Sequence, residues 1–201
     1  DTNEEMYPVM SKGTVKYDVI CASDYMIQKL LKKKLLAKLD YKNLPNFENI
    51  DQRYMQIASK FDKNNEYAIP HTWGVLGVMY NTKKIRQGEI ESWNDLLKKK
   101  YDQQIVMPDS VRDNFAIALK AKGYSINTKS EAELNKATKF LQDQSPLVYK
   151  YSNDAARDLA IGGSTDIAVV WNGEVLYSRE ENSNLDFVIP KEGSEEFLDM
   201  W

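Results

Sequence analysis

Short apolar runs alternate with segments that open on helix-capping residues, and this alternation limits the architecture more than any other feature of the chain. Residues 17–21, 104–107, 147–149, 165–171 and 185–189 are apolar stretches of strand length. Between them, Ser23 or Asp24 stands ahead of a helical segment at 25–34, and Asp109 or Ser110 ahead of one running to Lys122 and stopped by Gly123. Ser130 opens a helix to about Gln144, Ser92-Trp93-Asn94-Asp95 starts one as a capping box, and 154–161 and 173–179 complete the set. Residues 3–11 read as a helix if Pro8 is tolerated, and 52–60 as another. Residues 67–69 and 75–80 read as two strands parted by Pro70-His71-Thr72-Trp73-Gly74. Strand and helix in alternation predict an α/β fold with mostly parallel pairing.

Composition then removes whole classes of chemistry. With one Cys (Cys21) and one His (His71), the sequence allows no internal disulfide, no Cys/His zinc site and no C-x-x-C redox pair. A metal site would have to be all-carboxylate, and no D-x-D-x-D-G loop is present. Twenty-seven basic against 30 acidic side chains, a net charge of −3, is too balanced to gather nucleic acid. No apolar run is long enough to span a bilayer. The first residues lack the basic-then-apolar order of a signal peptide, and both ends look like cuts, so compartment is not directly legible.

Ligands of open α/β sheets sit beyond the carboxyl ends of the strands. That rule singles out Ser23 and Tyr25 after the first strand, Asp109, Ser110 and Asp113 after Met107, Trp171 and Glu174 after the 165–171 run, and Phe197 and Asp199 after Ile189. The set is carboxylates and aromatic faces, with no basic residue, no nucleophile–base pair and no phosphate loop. Such a set suits a ligand with ammonium ends and an apolar middle. Local roles compete with this reading. Ser23 and Asp109 are candidate N-caps, Asp113 and Glu174 suit a first helical turn, and Trp171 suits a core. His71 reads as a structural histidine, Cys21 as a small core hydrophobe, and the two Lys triplets, at 32–34 and 98–100, as solvated helix ends.

Several motifs in order then resemble the bacterial spermidine/putrescine-binding proteins of polyamine ABC importers, extracytoplasmic solute-binding proteins of the type II periplasmic-binding fold. They are Asn3-Glu4-Glu5-Met6-Tyr7, Tyr17-Asp18-Val19-Ile20, Ser23-Asp24-Tyr25-Met26, Phe61-Asp62, Tyr67-Ala68-Ile69-Pro70, Trp73-Gly74 and Ser92-Trp93-Asn94-Asp95-Leu96. Val111-Arg112-Asp113, Leu119, Gly123-Tyr124-Ser125, Trp171-Asn172-Gly173, Pro190-Lys191-Glu192-Gly193 and Asp199 continue the match. The resemblance implies a two-lobed, hinged α/β fold with a polyamine in the cleft. By position, Ser23 and Tyr25 match a serine and a ligand-stacking tyrosine, and Asp113 an acid, usually Glu, that binds an amine. Trp171 matches the aromatic after the second lobe's buried strand, Asp199 an amine-pairing acid, and Phe197 a place where Trp is common. Glu174 falls where putrescine-preferring relatives carry Asp, Ser110 where some carry a second acid, and His71 where Tyr is usual. Ser152 or a neighbour matches a polar cleft residue, off by one.

The family's N-terminal strand pair and C-terminal portion have no counterpart. The expectation is therefore a partial first lobe at 1–71, a nearly complete second lobe at 72–196, and a return crossing toward the first lobe at 197–201. The implied function is capture of spermidine or putrescine for the permease subunits of an ABC importer, without catalysis, metal or cofactor. The implied location is periplasmic or extracytoplasmic, with lipid anchoring left open. A receptor for another organic cation or an amino-acid-like solute is the alternative. An α/β hydrolase ranks lower because Gly162-Gly163-Ser164 lacks the closing Gly of a nucleophile elbow; a pure interaction module also ranks lower.

Overall fold

In the computed structural model, which describes residues 2–201, the chain divides into two units. Unit 1 comprises Asp1–Trp73 with Phe197–Trp201, and unit 2 comprises Gly74–Glu196.

Unit 1 begins with helix α1, Asn3–Lys12, fixed by a capping box between Thr2 and Glu5 and ended by Gly13 in the left-handed region (φ 64°). It runs through Pro8, which costs one backbone hydrogen bond without ending the helix. The strand expected at 17–21 does not form. Val15, Tyr17 and Val19 are exposed, at 47%, 48% and 68%. Apolar content alone makes no ladder; a strand needs a neighbour, and pairing starts only at β1, Ala22–Ser23. Its partner is β7, Glu196–Met200, antiparallel, with Ala22 opposite Met200 and Ser23 opposite Asp199. Cys21 is accordingly exposed and not a core residue.

Helix α2, Asp24–Lys32, buries Met26, Ile27 and Leu30 against Ala22, Leu198 and Met200, with Ala58 and Ala68 in the same cluster. Helix α3, Gln52–Ala58, is capped by Asp51, whose carboxylate accepts the Arg53 N–H. Asp62 is buried, and its Oδ2 accepts the N–H groups of Tyr67 and Ala68 at 2.6 and 2.9 Å. Ile69 and Trp201 exchange both backbone hydrogen bonds, at 2.8 and 2.9 Å.

The strands expected at 67–69 and 75–80 are instead one, β2, Pro70–Asn81, and Pro70–Gly74 is extended rather than a break. Proline at the first residue of a strand leaves the ladder intact. In unit 2 this strand pairs antiparallel with β5, Ile167–Trp171, on one edge and with β6, Leu185–Val188, on the other. β3, Ile105–Met107, lies parallel between β5 and β4, Val148–Tyr151. The order β6-β2-β5-β3-β4 is thus mixed, not mostly parallel. Gly77 is required here: a Cβ would lie 2.2 Å from Cζ of Phe187 on β6.

Period-two alternation gives this sheet two buried faces. Val78, Tyr80, Ile105, Met107, Ile167 and Val169 pack on one face with Ile117 and Leu119 of α4, Val111–Ala121, and Ala137 and Phe140 of α5, Glu131–Gln144. Met79, Val106, Ala168 and Val170 pack on the other with Ala156 and Ala160 of α6, Asp154–Ile161, and Val175 of α7, Asn172–Glu181. The predicted capping box at Ser92 is present, but it opens a 3-10 turn, Trp93–Leu97. Trp93, fully buried, donates from Nε1 to the Gly193 carbonyl at 2.9 Å.

Candidate functional site

The expected residues fall into two sets, one in each unit. In unit 1 the alternation of β7 sends Leu198 and Met200 into the core, and Phe197 and Asp199, both half-buried, to the opposite face. Ser23 lies directly across from Asp199, and its Oγ donates to Asp199 Oδ1 at 2.6 Å. Ser23 is the N-cap of α2 by position, yet its side chain makes no capping bond; the hydroxyl serves Asp199 instead. Asn3 Nδ2 donates to Ser23 Oγ at 3.0 Å, and the Tyr25 hydroxyl donates to Glu4 Oε1 at 2.8 Å. Desolvation and then the Asp199 charge push the Cys21 thiol pKa up. His71 is exposed, and its ring packs with that of Trp201, the two centroids 4.9 Å apart.

In unit 2 the parallel trio β4-β3-β5 brings its three carboxyl ends to one edge of the sheet. The loop after β3 carries Asp109 and Ser110, and Asp113 follows in the first turn of α4. Ser110 is the N-cap of α4, its Oγ accepting the Asp113 N–H at 3.3 Å, so the hydroxyl does local work and Asp109 is not the cap. The loop after β4 is tied to it: Asp109 N–H donates to Asn153 Oδ1 at 2.9 Å, and Asn153 Nδ2 donates to the Asp109 carbonyl at 3.3 Å. Ser152, next to it, accepts the Ala155 N–H on Oγ at 3.1 Å. Arg112 turns the other way, with Nε on Glu195 at 3.1 Å and Nη2 on Asn127 at 3.2 Å. β5 ends on Trp171, half-buried and at the N-cap position of α7, which follows directly and carries Glu174 in its first turn.

A small open concavity in unit 2 is lined by Asn153, Asp154, Arg157, Trp171 and Glu174. Trp171 and Glu174 are thus brought together as expected, but the set does include a base. Arg157 Nη1 lies 3.1 Å from Glu174 Oε2, and its Nε lies 3.2 Å from Asp158 Oδ1. Sequence reasoning missed it because a charged residue on an amphipathic helix reads as solvated, and its partner is 17 residues away. Among the described residues, no group of three or more His, Cys, Asp or Glu is gathered as for a metal ion. None of their helices is long and apolar enough to cross a membrane.

A family model described as bacterial extracellular solute-binding protein matches residues 4–201. The chain is 32% identical over 202 residues to a spermidine/putrescine-binding periplasmic protein of Salmonella typhimurium, covering 99% of this chain and 57% of that protein. It therefore spans a little over half the length of that relative. Among solved structures it is similar to a Listeria monocytogenes protein described as a candidate spermidine/putrescine ABC transporter. There the TM-score is 0.94 and the identity 33%, over 100% of this chain and 61% of that one. It is also similar to the spermidine/putrescine ABC transporter substrate-binding protein PotD of Streptococcus pneumoniae, with TM-score 0.77 and 32% identity over 100% and 61%.

Proposed function

This chain belongs to the bacterial extracellular solute-binding proteins, and from that premise we propose that it binds a polyamine of the spermidine/putrescine class for an ABC importer, outside the cytoplasm and without catalysis. The observation that carries the reading is the identity of 32%, over 99% of this chain, to a protein named for spermidine and putrescine binding.

The chemistry of both sets supports it. Asp199 and Asp113 each supply a carboxylate to an ammonium group, and a charge-assisted hydrogen bond of that kind is among the stronger polar contacts. The Ser23 hydroxyl, already donating to Asp199, holds that carboxylate in one orientation. Tyr25, Phe197 and Trp171 offer ring faces to the methylene chain and to the cations themselves. Ser110 caps α4 by accepting the Asp113 N–H, and its O–H remains a donor for the ligand beside Asp113.

The test is a thermal-shift and calorimetric panel on the protein in its natural length. Spermidine and putrescine are expected to raise the melting temperature in a concentration-dependent manner, as any ligand selective for the folded state does. Sulfate and glutamate are expected to leave it where it was. A rise with the anions and none with the amines would sink the reading.

A further inference from the structure

Arg157 is the one element of the unit 2 concavity that the ligand chemistry does not call for. A site for a cation gains nothing from a resident guanidinium, yet this one is held in place by three neighbours. Nη1 is 3.1 Å from Glu174 Oε2, Nε is 3.2 Å from Asp158 Oδ1, and the guanidinium carbon sits 4.7 Å from the centre of the Tyr177 ring. Glu174 and Tyr177 are three residues apart and so lie on one side of α7, where a single residue of α6 meets both. The Arg157 and Glu174 side chains are 34% and 37% exposed, within reach of a solute yet shielded enough for the pair to matter.

We infer that Arg157 is a specificity-determining residue. Its guanidinium holds Oε2 of the Glu174 carboxylate beside Trp171, so an amine has to share that carboxylate with it or displace it.

The guanidinium, held between Glu174 and Asp158, cancels one of their two negative charges and so leaves an ammonium less to gain there. Without the arginine, Glu174 becomes a net negative charge next to an aromatic face, which attracts a cation and repels a carboxylate. Lysine at 157 would keep the positive charge but lose the fork that reaches Glu174 and Asp158 together. The consequence is selectivity at one ligand end. The pair narrows the preference for a diamine over an ω-amino acid of the same chain length, because that molecule's carboxylate meets a guanidinium rather than a bare glutamate.

This inference rests on the polyamine reading, and the experiment separates the two. Titration calorimetry on the natural-length protein compares putrescine with 4-aminobutyrate for wild type, R157Q, R157K and R157Q/E174Q. R157Q is expected to bind putrescine at least about fivefold more tightly, about 1 kcal/mol, with no gain for 4-aminobutyrate. The gain should shrink as salt rises, which a purely structural role for Arg157 would not produce. R157K should show less than half of it, and adding E174Q to R157Q should remove most of it, Asp158 keeping the remainder. Wild type that binds putrescine, with R157Q no tighter or R157K gaining as much as R157Q, overturns the role of Arg157 and leaves the polyamine reading standing. Wild type that binds no putrescine, or prefers 4-aminobutyrate, overturns both.

Discussion

The two units mount similar chemistry on unequal scaffolds. Unit 2 sets its acids and Trp171 at the end of a five-stranded sheet whose two faces are both covered, with Trp93, Leu96, Ile105, Met107, Ile117 and Phe140 at 0–1% exposure on one side alone. Unit 1 sets Asp199 on a ladder whose β1 has two residues, above a core of Met26, Ile27 and Leu30 packed on Leu198 and Met200. α2 alone would have no sheet to cover; the short return strand β7 supplies it. The difference teaches that strand register can bring two chosen side chains together without a large core. Ser23 still meets Asp199 at 2.6 Å on the smaller scaffold.

The largest expected effect tests that inequality. Leu30→Ala removes a fully buried side chain from the smaller core, and a change of this kind costs about 2–5 kcal/mol. Amides of Ala22 and Ala68 should then exchange at least about a hundredfold faster, equivalent to about 2.7 kcal/mol. Val78 and Val169 should keep their protection. Ile117→Ala in unit 2 should do the converse. Equal acceleration of all four amides in either variant would show one cooperative body and break the comparison.

Binding sharpens it next. Truncating one partner of a buried, hydrogen-bonded charge pair costs about 2–5 kcal/mol. Asp199→Asn and Asp113→Asn should each weaken spermidine binding at least about tenfold, about 1.4 kcal/mol, with melting temperature kept. Ser23→Ala, which removes a donor to Asp199 but no charge, should weaken it by only about threefold, in keeping with a neutral donor's smaller share. Unchanged affinity in both aspartate variants would show that neither unit presents the ligand's acid.

What the sequence made legible was what neighbours along the chain decide. Helices α4 and α5 and their caps follow from hydroxyl and acidic residues placed just ahead of apolar periodicity, and Ser130 caps α5 through the Glu133 N–H as its position implies. Residues 17–21 misled because their apolar content says nothing about whether a partner strand is present. The register of Ser23 against Asp199 spans 176 positions and was hidden for the same reason. The strand β7 itself carried a usable signal, since Leu198 and Met200 alternate with Phe197 and Asp199. Arg157 carried none, because only the packing of α6 beside α7 gives it Glu174.

The smallest expected effect reads the charge on the unit 1 face directly. Cys21 is exposed, yet desolvation of its sulfur and the nearby Asp199 carboxylate both push its thiol pKa above the ordinary value. Only the thiolate attacks an alkylating reagent, so at pH 8 Cys21 should react with iodoacetamide more slowly than a free thiol such as glutathione. Asp199→Asn removes the second of the two causes, which lowers the pKa and raises the thiolate fraction. Alkylation at pH 8 should therefore speed up by about twofold, a modest change because the larger cause, desolvation, is untouched. The sign fixes the pH course as well. The variant's advantage belongs below the raised pKa and should vanish at alkaline pH, where both thiols are ionised. Asp113→Asn, in unit 2, should leave the Cys21 rate where it was. Equal rates for wild type and Asp199→Asn across pH 7–9 would mean that the Asp199 carboxylate does not act on this face as its pairing with Ser23 implies.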